Sequence, residues 1–461
     1  MSTSAVSWKP DALRARLDEV RRRHGVVGAS LAVLIDGEVS TAASGLLNLD
    51  TGVEATPDSV FQIGSIGKLF TATLLMQLVD EGMVELDAPV RRYLPDFAIA
   101  DASASAAITV RQLLAHTSGI DGDYLPPDDP AGPSSENYVR RMRALALLHP
   151  VGAYMSYCNS GYVAAGRIVE VLRGKSWAQL VMDRICRPLA MTQAYADPRE
   201  SLRYRCAIGH VADPADRARS RVSPLTYLPL SIAAAGSVLS MSATDLLRFA
   251  RAQLADGDAG NGRRILSAES ARAMRRPQIE LLPYSRKGYS HMGLGWFLAG
   301  RGRNTLIGHD GTTAGQMAYL HLLPERGLAF ALLTNSPSAP LADELRSAFF
   351  ADLASLPPVQ DPPPQPVDCD AARYVGVYEN VATRIELQWR DGALHAQALP
   401  RVPGGSALSA SLRPHSRDCF ELQAEDPAVA GKITFWGKGA RAEYLRLGVR
   451  MARRVHEESR R

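Results

Sequence analysis

The sequence has few cysteines, and their spacing does not suggest a metal site or a disulfide framework. Its five cysteines are scattered over 461 residues, with no CxxC pair and no cysteine–histidine spacing typical of zinc sites. No apolar run reaches the roughly 20 residues that a membrane helix needs, and the N-terminal residues lack the apolar segment of a signal peptide. We therefore expect a cytoplasmic protein that binds no metal or organic cofactor and does not contact a membrane.

A strong excess of charge is also lacking. The 52 lysines and arginines against 48 aspartates and glutamates give a net charge of +4, which is too balanced to indicate nucleic acid as a partner. An arginine cluster in residues 446–461 is interpreted as a solvated or carboxylate-pairing segment. With 46% hydrophobic and 22% charged residues, the composition is that of a globular protein with room for more than one domain.

The order of the predicted elements indicates an antiparallel sheet built from both ends of a first domain. A charged helix over Pro10–Arg23 is followed by a hairpin that turns at Asp36 and Gly37. Several helices then precede the last elements of the domain: strands at 293–299, 305–309, 317–323 and 328–334, and a helix at 342–356. Strands on both sides of a helical stretch predict an α+β fold with an inserted all-helical region.

A proline-rich segment separates this domain from a second one that shows few helix signals. The second domain contains short predicted strands at regular intervals: 374–378, 385–389, 393–398, 419–423, 433–436 and 444–451. Such spacing predicts a small all-β barrel or sandwich. The predicted division of the chain is a first domain of 1–356, a linker of 357–367 and a β domain of 368–461.

A serine and a lysine stand three residues apart where a central helix is expected to begin. Residues i and i+3 share a helix face, so Ser65 and Lys68 are expected to touch. Residues 70–79 are apolar on nearly all sides, which predicts a buried helix that ends at Gly82. A lysine buried beside a serine loses its proton more easily and can act as its base. The N–H groups at a helix N-terminus also suit an oxyanion.

Two further motifs have both a catalytic and a structural interpretation. The Tyr157 phenol, if near a lysine, can be held partly ionised and pass protons, or it can be an ordinary core tyrosine. Asn159 can hold a substrate carbonyl or cap a helix. His309, at the end of a strand, can orient a carboxylate, shuttle protons or lie in a turn. Each motif by itself leaves the choice open.

Three motifs occur together in this order: Ser65-x-x-Lys68, Tyr157-x-Asn159 and His309-x-Gly311. As a set they resemble the motifs of the penicillin-recognising serine enzymes. The resemblance covers residues 10–355 and is strongest to class C β-lactamases, D,D-peptidases, D-aminopeptidases and family VIII esterases. The phrases Leu-Leu-Ala-His-Thr-Ser-Gly at 113–119 and Gly-Leu-Gly-Trp at 293–296 are typical of that family. The fold that it implies for the first domain is class C β-lactamase-like, an antiparallel sheet flanked by helices.

The resemblance also implies catalytic roles. Ser65 would be the nucleophile, Lys68 its base partner, and Tyr157 the proton shuttle toward the leaving group, in a two-step acyl transfer through an ester on the serine. His309 stands where most members carry a lysine. Because a histidine is mostly neutral at pH 7, this difference weakens the case for substrates with a free carboxylate.

Substrate contacts are implied at a second group of positions. Asn159 would contact a substrate amide, and the backbone N–H of Thr312, which follows Gly311, would form an oxyanion hole with that of the nucleophile. Arg446 or Arg450 is expected to reach toward the site from the β domain. These are expectations from the resemblance and from the position of the arginines in the chain.

One subfamily fits a cytoplasmic member with a second β domain. Penicillin-binding-protein-type thioesterases resemble this chain in having a catalytic domain followed by a small lipocalin-like barrel. The resemblance implies that the protein takes a peptidyl group from a thioester on a peptidyl carrier protein and macrocyclises a nonribosomal peptide. The alternatives are a hydrolytic esterase, a D-aminopeptidase or D,D-peptidase or a β-lactamase, and, from another class, a binding protein that has kept the fold without catalysis.

Overall fold

The computed structural model describes most of the chain, and each structural statement below concerns the residues it describes. They are 8–126, 132, 134–216, 218–281, 288–300, 304–357, 363–365, 370–401, 407–424 and 431–455. Within these stretches no helix is long and apolar enough to cross a membrane. The same stretches hold no group of three or more His, Cys, Asp or Glu side chains that could bind a metal ion.

The first domain is built around a nine-stranded antiparallel sheet, with two smaller sheets beside it. The strands of these sheets are β1 Gly28–Ile35, β2 Glu38–Asn48, β3 Val53–Glu54, β4 Phe61–Gln62, β5 Ala194–Tyr195, β6 His210–Ala212, β7 Ser220–Val222, β8 Ser240–Met241, β9 Ile279–Glu280, β10 Tyr289–Met292, β11 Phe297–Ala299, β12 Leu306–Thr312, β13 Met317–Leu323 and β14 Leu328–Thr334. The order in the large sheet is β3-β2-β1-β14-β13-β12-β11-β10-β9. Because β1 pairs with β14, the predicted sheet built from both ends of the domain is confirmed.

Helices cover both faces of the large sheet. They are α1 Pro10–Arg23, α2 Gly67–Asp80, α3 Ala102–Ala107, α4 Val110–Leu114, α5 Ser135–Arg141, α6 Asn159–Arg173, α7 Trp177–Val181, α8 Ala243–Leu254, α9 Ala268–Met274 and α10 Ala339–Ala354, with a short α11 Ala371–Tyr374 at the start of the second domain. Alternate side chains of β1 enter different cores, as the two-residue period of a strand requires. Ala32 and Leu34 pack on the side of α2, whereas Leu31 and Val33 pack on the side of α1 and α10.

Helix α2 is the buried centre of the domain. Every residue from Gly67 to Leu78 is buried, and Gly82, just beyond its end, has a left-handed backbone with φ of 72°. Both features confirm the prediction from the sequence. An all-round apolar helix lies in a core because no face of it gains from contact with water.

Several predicted boundaries in the first domain were wrong. The helix predicted over 135–148 is shorter in the structure and consists of α5 followed by a 3₁₀ turn, Met142–Ala144. It does not continue because residues 146 and 148 hydrogen-bond to the backbone of Asp121 and Gly119. The strand predicted at 293–299 is only β11, since Gly293 and Trp296 close a turn before it. The strand predicted at 305–309 extends to Thr312 as β12, which places Gly311 within the sheet.

The second domain is a closed eight-stranded antiparallel barrel in which each strand pairs with the next. Its strands are β15 Gly376–Glu379, β16 Thr383–Arg390, β17 Ala393–Pro400, β18 Leu408–Ser416, β19 Cys419–Gln423, β20 Lys432–Trp436, β21 Tyr444–Leu447 and β22 Arg450–Arg454. Pairing of β15 with β22 closes the barrel, as a lipocalin-like domain requires. Apolar side chains such as Leu394, Phe435 and Leu445 form its core.

The barrel has two more strands than the sequence predicted. Strand β18 was missed because a proline, an arginine, a histidine and three serines interrupt its apolar pattern. The single strand predicted over 444–451 is a hairpin of β21 and β22 that turns at Gly448, where φ is 61°. Much of the predicted linker, residues 358–362 and 366–367, lies outside the described residues.

Hydrogen bonds join the barrel directly to the first domain. They run from Tyr157 N to Val449 O at 2.8 Å, from Met451 N to Ser156 Oγ at 3.1 Å, and from Val381 N to Asp121 Oδ2 at 2.7 Å. Two of the three lie at the β21–β22 hairpin. This hairpin therefore rests beside the segment that carries the Tyr157 motif.

Candidate active site

Ser65 lies in a 3₁₀ turn, Gly64–Ile66, that leads directly into α2. Helical spacing brings Lys68 under it: Lys68 Nζ donates hydrogen bonds to Ser65 Oγ at 3.1 Å and to the Ala235 carbonyl at 2.6 Å. The contact between the serine and the lysine expected from the sequence is present. The Ala235 carbonyl had no sequence signal, because a backbone acceptor carries no side-chain signature.

Burial lowers the pKa of Lys68 from 10.5 to about 7, since a charged ammonium loses its hydration in the core. Lys68 is fully buried. The positive charge of Arg450 lowers this pKa further, whereas Asp123 and Cys158 oppose the shift. A substantial fraction of Lys68 is therefore neutral near pH 7, with a lone pair that can accept the Ser65 proton.

Tyr157 stands over the lysine, with the centroid of its ring 4.8 Å from Lys68 Nζ. His116 stacks on the other side of this ring at 4.3 Å between centroids, and His116 Nδ1 accepts a hydrogen bond from the Cys158 N–H at 3.0 Å. Burial raises the pKa of the Tyr157 phenol, and the Ser65 hydroxyl and Arg450 only oppose that shift. The phenol is therefore protonated at neutral pH, which differs from the partial ionisation expected from the sequence.

Glycines bring the end of β12 against the serine. A Cβ on Gly311 would overlap the Ile63 carbonyl oxygen and lie 2.9 Å from Ser65 N. A Cβ on Gly64 would lie 2.5 Å from Thr312 N, and Gly64 has a positive φ of 54°. The backbone nitrogens of Ser65 and Thr312 are thus neighbours, as an oxyanion hole requires.

His309 is buried beside the aromatic side of the site. Its ring centroid lies 5.3 Å from that of Phe297 and 6.1 Å from that of Tyr157. His309 Nδ1 is 2.7 Å from the Asp310 carbonyl oxygen. Because a carbonyl only accepts, Nδ1 carries a proton, and in the neutral ring Nε2 is the basic nitrogen.

Asp123 joins two predicted site residues, and the sequence analysis did not identify it as part of the site. Its Oδ1 accepts a hydrogen bond from Asn159 Nδ2 at 2.7 Å, and its other oxygen forms an ion pair with Arg450. The Arg450 guanidinium carbon in turn lies 5.2 Å from the centroid of the Tyr157 ring. Asp123 lies in an irregular loop, so no periodicity connects it with an arginine more than three hundred residues later.

Both domains line one cavity of about 790 Å³. Every predicted site residue lines this cavity except Lys68 and Gly311. Lys68 lies beneath Ser65, and Gly311 packs against the backbone of Ile63 and Ser65. From the barrel come Arg446, Val449 and Arg450. The apolar part of the wall includes Met155, Leu281, Tyr289 and Phe297. The expectation that the barrel arginines reach the site therefore agrees with their placement.

The fold and this site together define a class of protein. An antiparallel sheet with inserted helices, and a serine–lysine pair at the head of a buried helix, are features of the β-lactamase-like serine hydrolases. The chain belongs to the β-lactamase family, whose sequence pattern, described as Beta-lactamase, matches residues 13–353. A similar relative is Penicillin-binding protein 4 of Amycolatopsis lactamdurans, 39% identical over 378 residues, which are 79% of this chain and 96% of the relative.

Solved structures resemble the chain in one domain or in both. The crystal structure of SurE is 29% identical and has a TM-score of 0.81, covering 96% of this chain and 99% of SurE. A structure of SurE with D-Leu is 30% identical, with a TM-score of 0.80 and the same coverage. The D-amino acid amidase of Ochrobactrum anthropi SV3 complexed with D-phenylalanine is 27% identical, with a TM-score of 0.63 over 75% of this chain and 99% of the amidase.

Proposed function

We propose that this protein is a serine acyltransferase that forms an ester on Ser65 and acts as a penicillin-binding-protein-type thioesterase. In this proposal it takes a peptidyl group from the thioester of a peptidyl carrier protein and passes it to the amine at the other end of the peptide. The observation that carries the proposal is the 3.1 Å contact between Ser65 Oγ and Lys68 Nζ, in a cavity lined by both domains.

The first step is attack of Ser65 Oγ on the thioester carbonyl. Neutral Lys68 accepts the hydroxyl proton, and its pKa of about 7 matches the pH at which a general base is most effective. The N–H groups of Ser65 and Thr312 stabilise the oxyanion, and such donors are typically worth about 3 kcal/mol each. Asn159 holds an amide of the peptidyl group.

The departing thiolate takes up a proton, which in this proposal comes from the protonated Tyr157 phenol. The lysine ammonium formed in the attack lies under the same ring and restores the proton. In the second step these transfers run in reverse: Tyr157 passes its proton to Lys68 and accepts one from the attacking amine, and the Lys68 ammonium so formed returns a proton to Ser65. His309, whose ring centroid lies 6.1 Å from that of Tyr157, can take the proton of the incoming ammonium through its basic Nε2.

Transfer to an amine rather than to water needs a cleft that confines the acyl group. The barrel hairpin narrows the cavity beside Tyr157 and brings Arg450 over its ring. The likeness to SurE extends over both domains, and one structure of SurE contains D-Leu. We therefore propose that the acyl group ends in a D-configured residue. Activity in the cytoplasm, where a carrier protein would be met, is part of the same proposal.

A second candidate function is hydrolysis of D-amino acid amides or esters. It is favoured by the likeness of the first domain to a D-amino acid amidase whose structure contains D-phenylalanine. D,D-peptidase or β-lactamase activity is a weaker alternative, because His309 replaces the fixed positive charge that would bind a free carboxylate. Both candidates use the same Ser65 chemistry and differ in whether water or an amine attacks the ester.

Intact mass spectrometry of the reaction with a peptidyl thioester that has a D-residue at its acyl end tests the proposal. We expect a cyclic product, lighter than the linear acid by one water, that is absent with Ser65→Ala and retained with Ser409→Ala, a change at an exposed barrel serine. Linear acid alone, lost with Ser65→Ala, would favour the hydrolase.

The same experiment also tests the alternative that the protein is a binding protein without catalytic activity. A protein that has lost catalysis would give neither product nor a covalent adduct with a thioester or a β-lactam. The presence of the Ser65–Lys68 pair argues for labelling, since a lysine with a depressed pKa activates the adjacent hydroxyl. Absence of any adduct would overturn the acyl-enzyme mechanism.

A further inference from the structure

Arg446 is a buried arginine on the barrel wall of the cavity. Its exposed fraction is 8%, and it lines the same cavity as Ser65. Among the described residues it makes no hydrogen bond or ion pair; its contact is with the face of Trp436, whose ring centroid lies 5.2 Å from its guanidinium carbon. The stacking leaves the N–H edge of the guanidinium without an acceptor.

The two described carboxylates that line the cavity, Asp123 and Asp310, are engaged elsewhere, and Asp310 Oδ1 lies 3.4 Å from His321 Nε2. Asp123 pairs with Arg450 and Asn159, so it does not serve Arg446. On the barrel surface, Glu421 pairs with Arg413 and with His415. Burial lowers the pKa of Arg446 to about 10, and Cys419 is the group that opposes this shift, which agrees with a cation that has no carboxylate partner among the described residues.

Strand pairing places two more donors beside this arginine. Arg446 is directly opposite Thr434 in the pairing of β20 with β21, so both side chains point to the same face of the sheet. Lys432, two residues before Thr434, shares that face by strand alternation. All three line the cavity, whereas Ile433, Phe435 and Leu445 point into the barrel core.

We propose that Arg446, with the Thr434 hydroxyl, forms a subsite for an anionic group of the molecule bound in the cavity. A planar guanidinium with its N–H edge free binds a carboxylate or a phosphate through paired hydrogen bonds. If the proposed function holds, on which the identity of the ligand rests, that group is the phosphate of a phosphopantetheine arm or an acidic side chain of the peptidyl group.

Direct binding tests the subsite without any turnover. We expect inorganic phosphate, compared with chloride at equal ionic strength, to raise the thermal midpoint of the wild-type protein and of Arg390→Gln, a change at an exposed barrel arginine. The rise should be lost with Arg446→Gln and reduced with Thr434→Val, a smaller change that guards against misfolding of the first variant. An equal response in all four proteins would overturn the subsite.

Kinetics with matched substrates identify the source of the anion. One acyl group is presented on pantetheine and on phosphopantetheine, and a second pair of substrates differs by Asp against Asn in the acyl group. In each pair, the preference is the ratio of kcat/KM for the charged substrate to kcat/KM for the uncharged one. We expect Arg446→Gln to lower this ratio about tenfold in one of the two pairs. Arg390→Gln should keep both ratios unchanged. A fall in the first pair identifies phosphate, and a fall in the second identifies a carboxylate.

The remaining outcomes separate this inference from the proposed function. Preferences unchanged in both pairs, with turnover intact, would overturn the subsite as a substrate contact. No turnover of any thioester by the wild-type protein would overturn the proposed function, and the phosphate titration would then decide the subsite alone.

Discussion

At the scale of single residues, the site depends on a lysine kept in an unfavourable place. Lys68 is fully buried in a helix whose neighbours are nearly all apolar, and its hydrogen-bond partners are a hydroxyl and a carbonyl rather than a carboxylate. Neutral partners do not offset the loss of hydration of a charge. Burial of Lys68 beside Ser65 should therefore cost the folded protein stability while it keeps the pKa of the lysine low.

Replacement of Lys68 by Met should make the protein more stable and inactive. The pKa of Lys68 is lowered from 10.5 to about 7. Burial of the charged lysine therefore lowers the free energy of unfolding of the wild type most below pH 7. That cost falls as the pH rises from 7 to 10.5, where the unfolded chain also loses the proton. We expect Lys68→Met to raise the free energy of unfolding by about 2–4 kcal/mol at pH 7, measured by denaturant unfolding.

The pH series contains the decisive comparison for this variant. The advantage of Met over Lys should shrink between pH 7 and pH 10.5, whereas Lys175→Met, at an exposed lysine, should show no such trend. A Met variant less stable than wild type at pH 7 would contradict the account of Lys68 as a buried, costly base.

Opposite charges near Lys68 should move the pH profile of acylation in opposite directions. Arg450 lowers the pKa of Lys68 and Asp123 raises it. Because the base must be neutral, acylation rises with pH through the pKa of Lys68. We expect Arg450→Gln to shift this rise to higher pH and Asp123→Asn to shift it to lower pH, measured by stopped-flow release of thiol.

Arg390→Gln is the control for the loss of a positive charge far from the lysine, and its profile should match that of the wild type. Shifts of the same sign in Arg450→Gln and Asp123→Asn would show that both variants act by disturbing the geometry of the pair. The electrostatic origin of the Lys68 pKa would then be wrong.

At the scale of elements, the sequence predicted the parts of the site that follow a regular period. The three-residue spacing of Ser65 and Lys68 on an apolar helix fixed their contact, and the hairpin at Asp36 and Gly37 was also predicted correctly. Contacts that depend on irregular backbone were not predicted. The Ala235 carbonyl under the lysine and the Asp123 carboxylate have no periodicity, because tertiary packing alone brings their segments to the site.

Strand β12 should not tolerate a side chain at Gly311. A Cβ there would overlap the Ile63 carbonyl and approach Ser65 N, and since these atoms are backbone, the strand must move away. We expect Gly311→Ala to lower kcat/KM by at least about a hundredfold through loss of oxyanion stabilisation. Steady-state kinetics with a simple thioester measure this effect.

Gly439→Ala is the matched control, because the nearest heavy atom to a Cβ at that position lies 4.0 Å away. Circular dichroism separates a displaced strand from a protein that has not folded. Activity of Gly311→Ala close to that of the wild type would place the oxyanion elsewhere than between Ser65 and Thr312.

At the scale of the whole molecule, the cavity belongs to neither domain alone. The hydrogen bond from Tyr157 N to Val449 O attaches the barrel to the segment that carries the Tyr157 phenol. Sequence patterning identified two domains, but it does not encode how two folded surfaces meet. Docking depends on shape and on groups that are distant in sequence, such as the Asp121 carboxylate and the Val381 N–H. The sequence analysis expected a barrel arginine to reach toward the site, but it did not predict these contacts.

Burial of Asp121 at the contact between the domains should lower the stability of the folded protein as the pH rises. Burial raises the pKa of this carboxyl from 3.8 to about 7, opposed by the Val381 N–H. The cost of burying the carboxylate is absent below pH 3.8, grows as the pH rises to 7, and is constant above. We expect Asp121→Asn, which keeps an oxygen acceptor without charge, to stabilise the protein by about 1–3 kcal/mol at pH 8.

Thermal unfolding at pH 8 and at pH 3.5 measures this difference, and the advantage of the Asn variant should vanish at the lower pH. Asp96→Asn, at an exposed aspartate, should behave as the wild type at both. An advantage of equal size at the two pH values would mean that the charge of Asp121 is not its cause.

Because the cavity is divided between two domains, its two walls are synthesised at different times. A ribosome makes the serine and lysine first and the arginines of the opposite wall several hundred residues later. The barrel cannot close until β22 is available to pair with β15. A nascent chain therefore carries its nucleophile for most of its synthesis with one side open to water, and the enclosed cavity exists only after the barrel has closed.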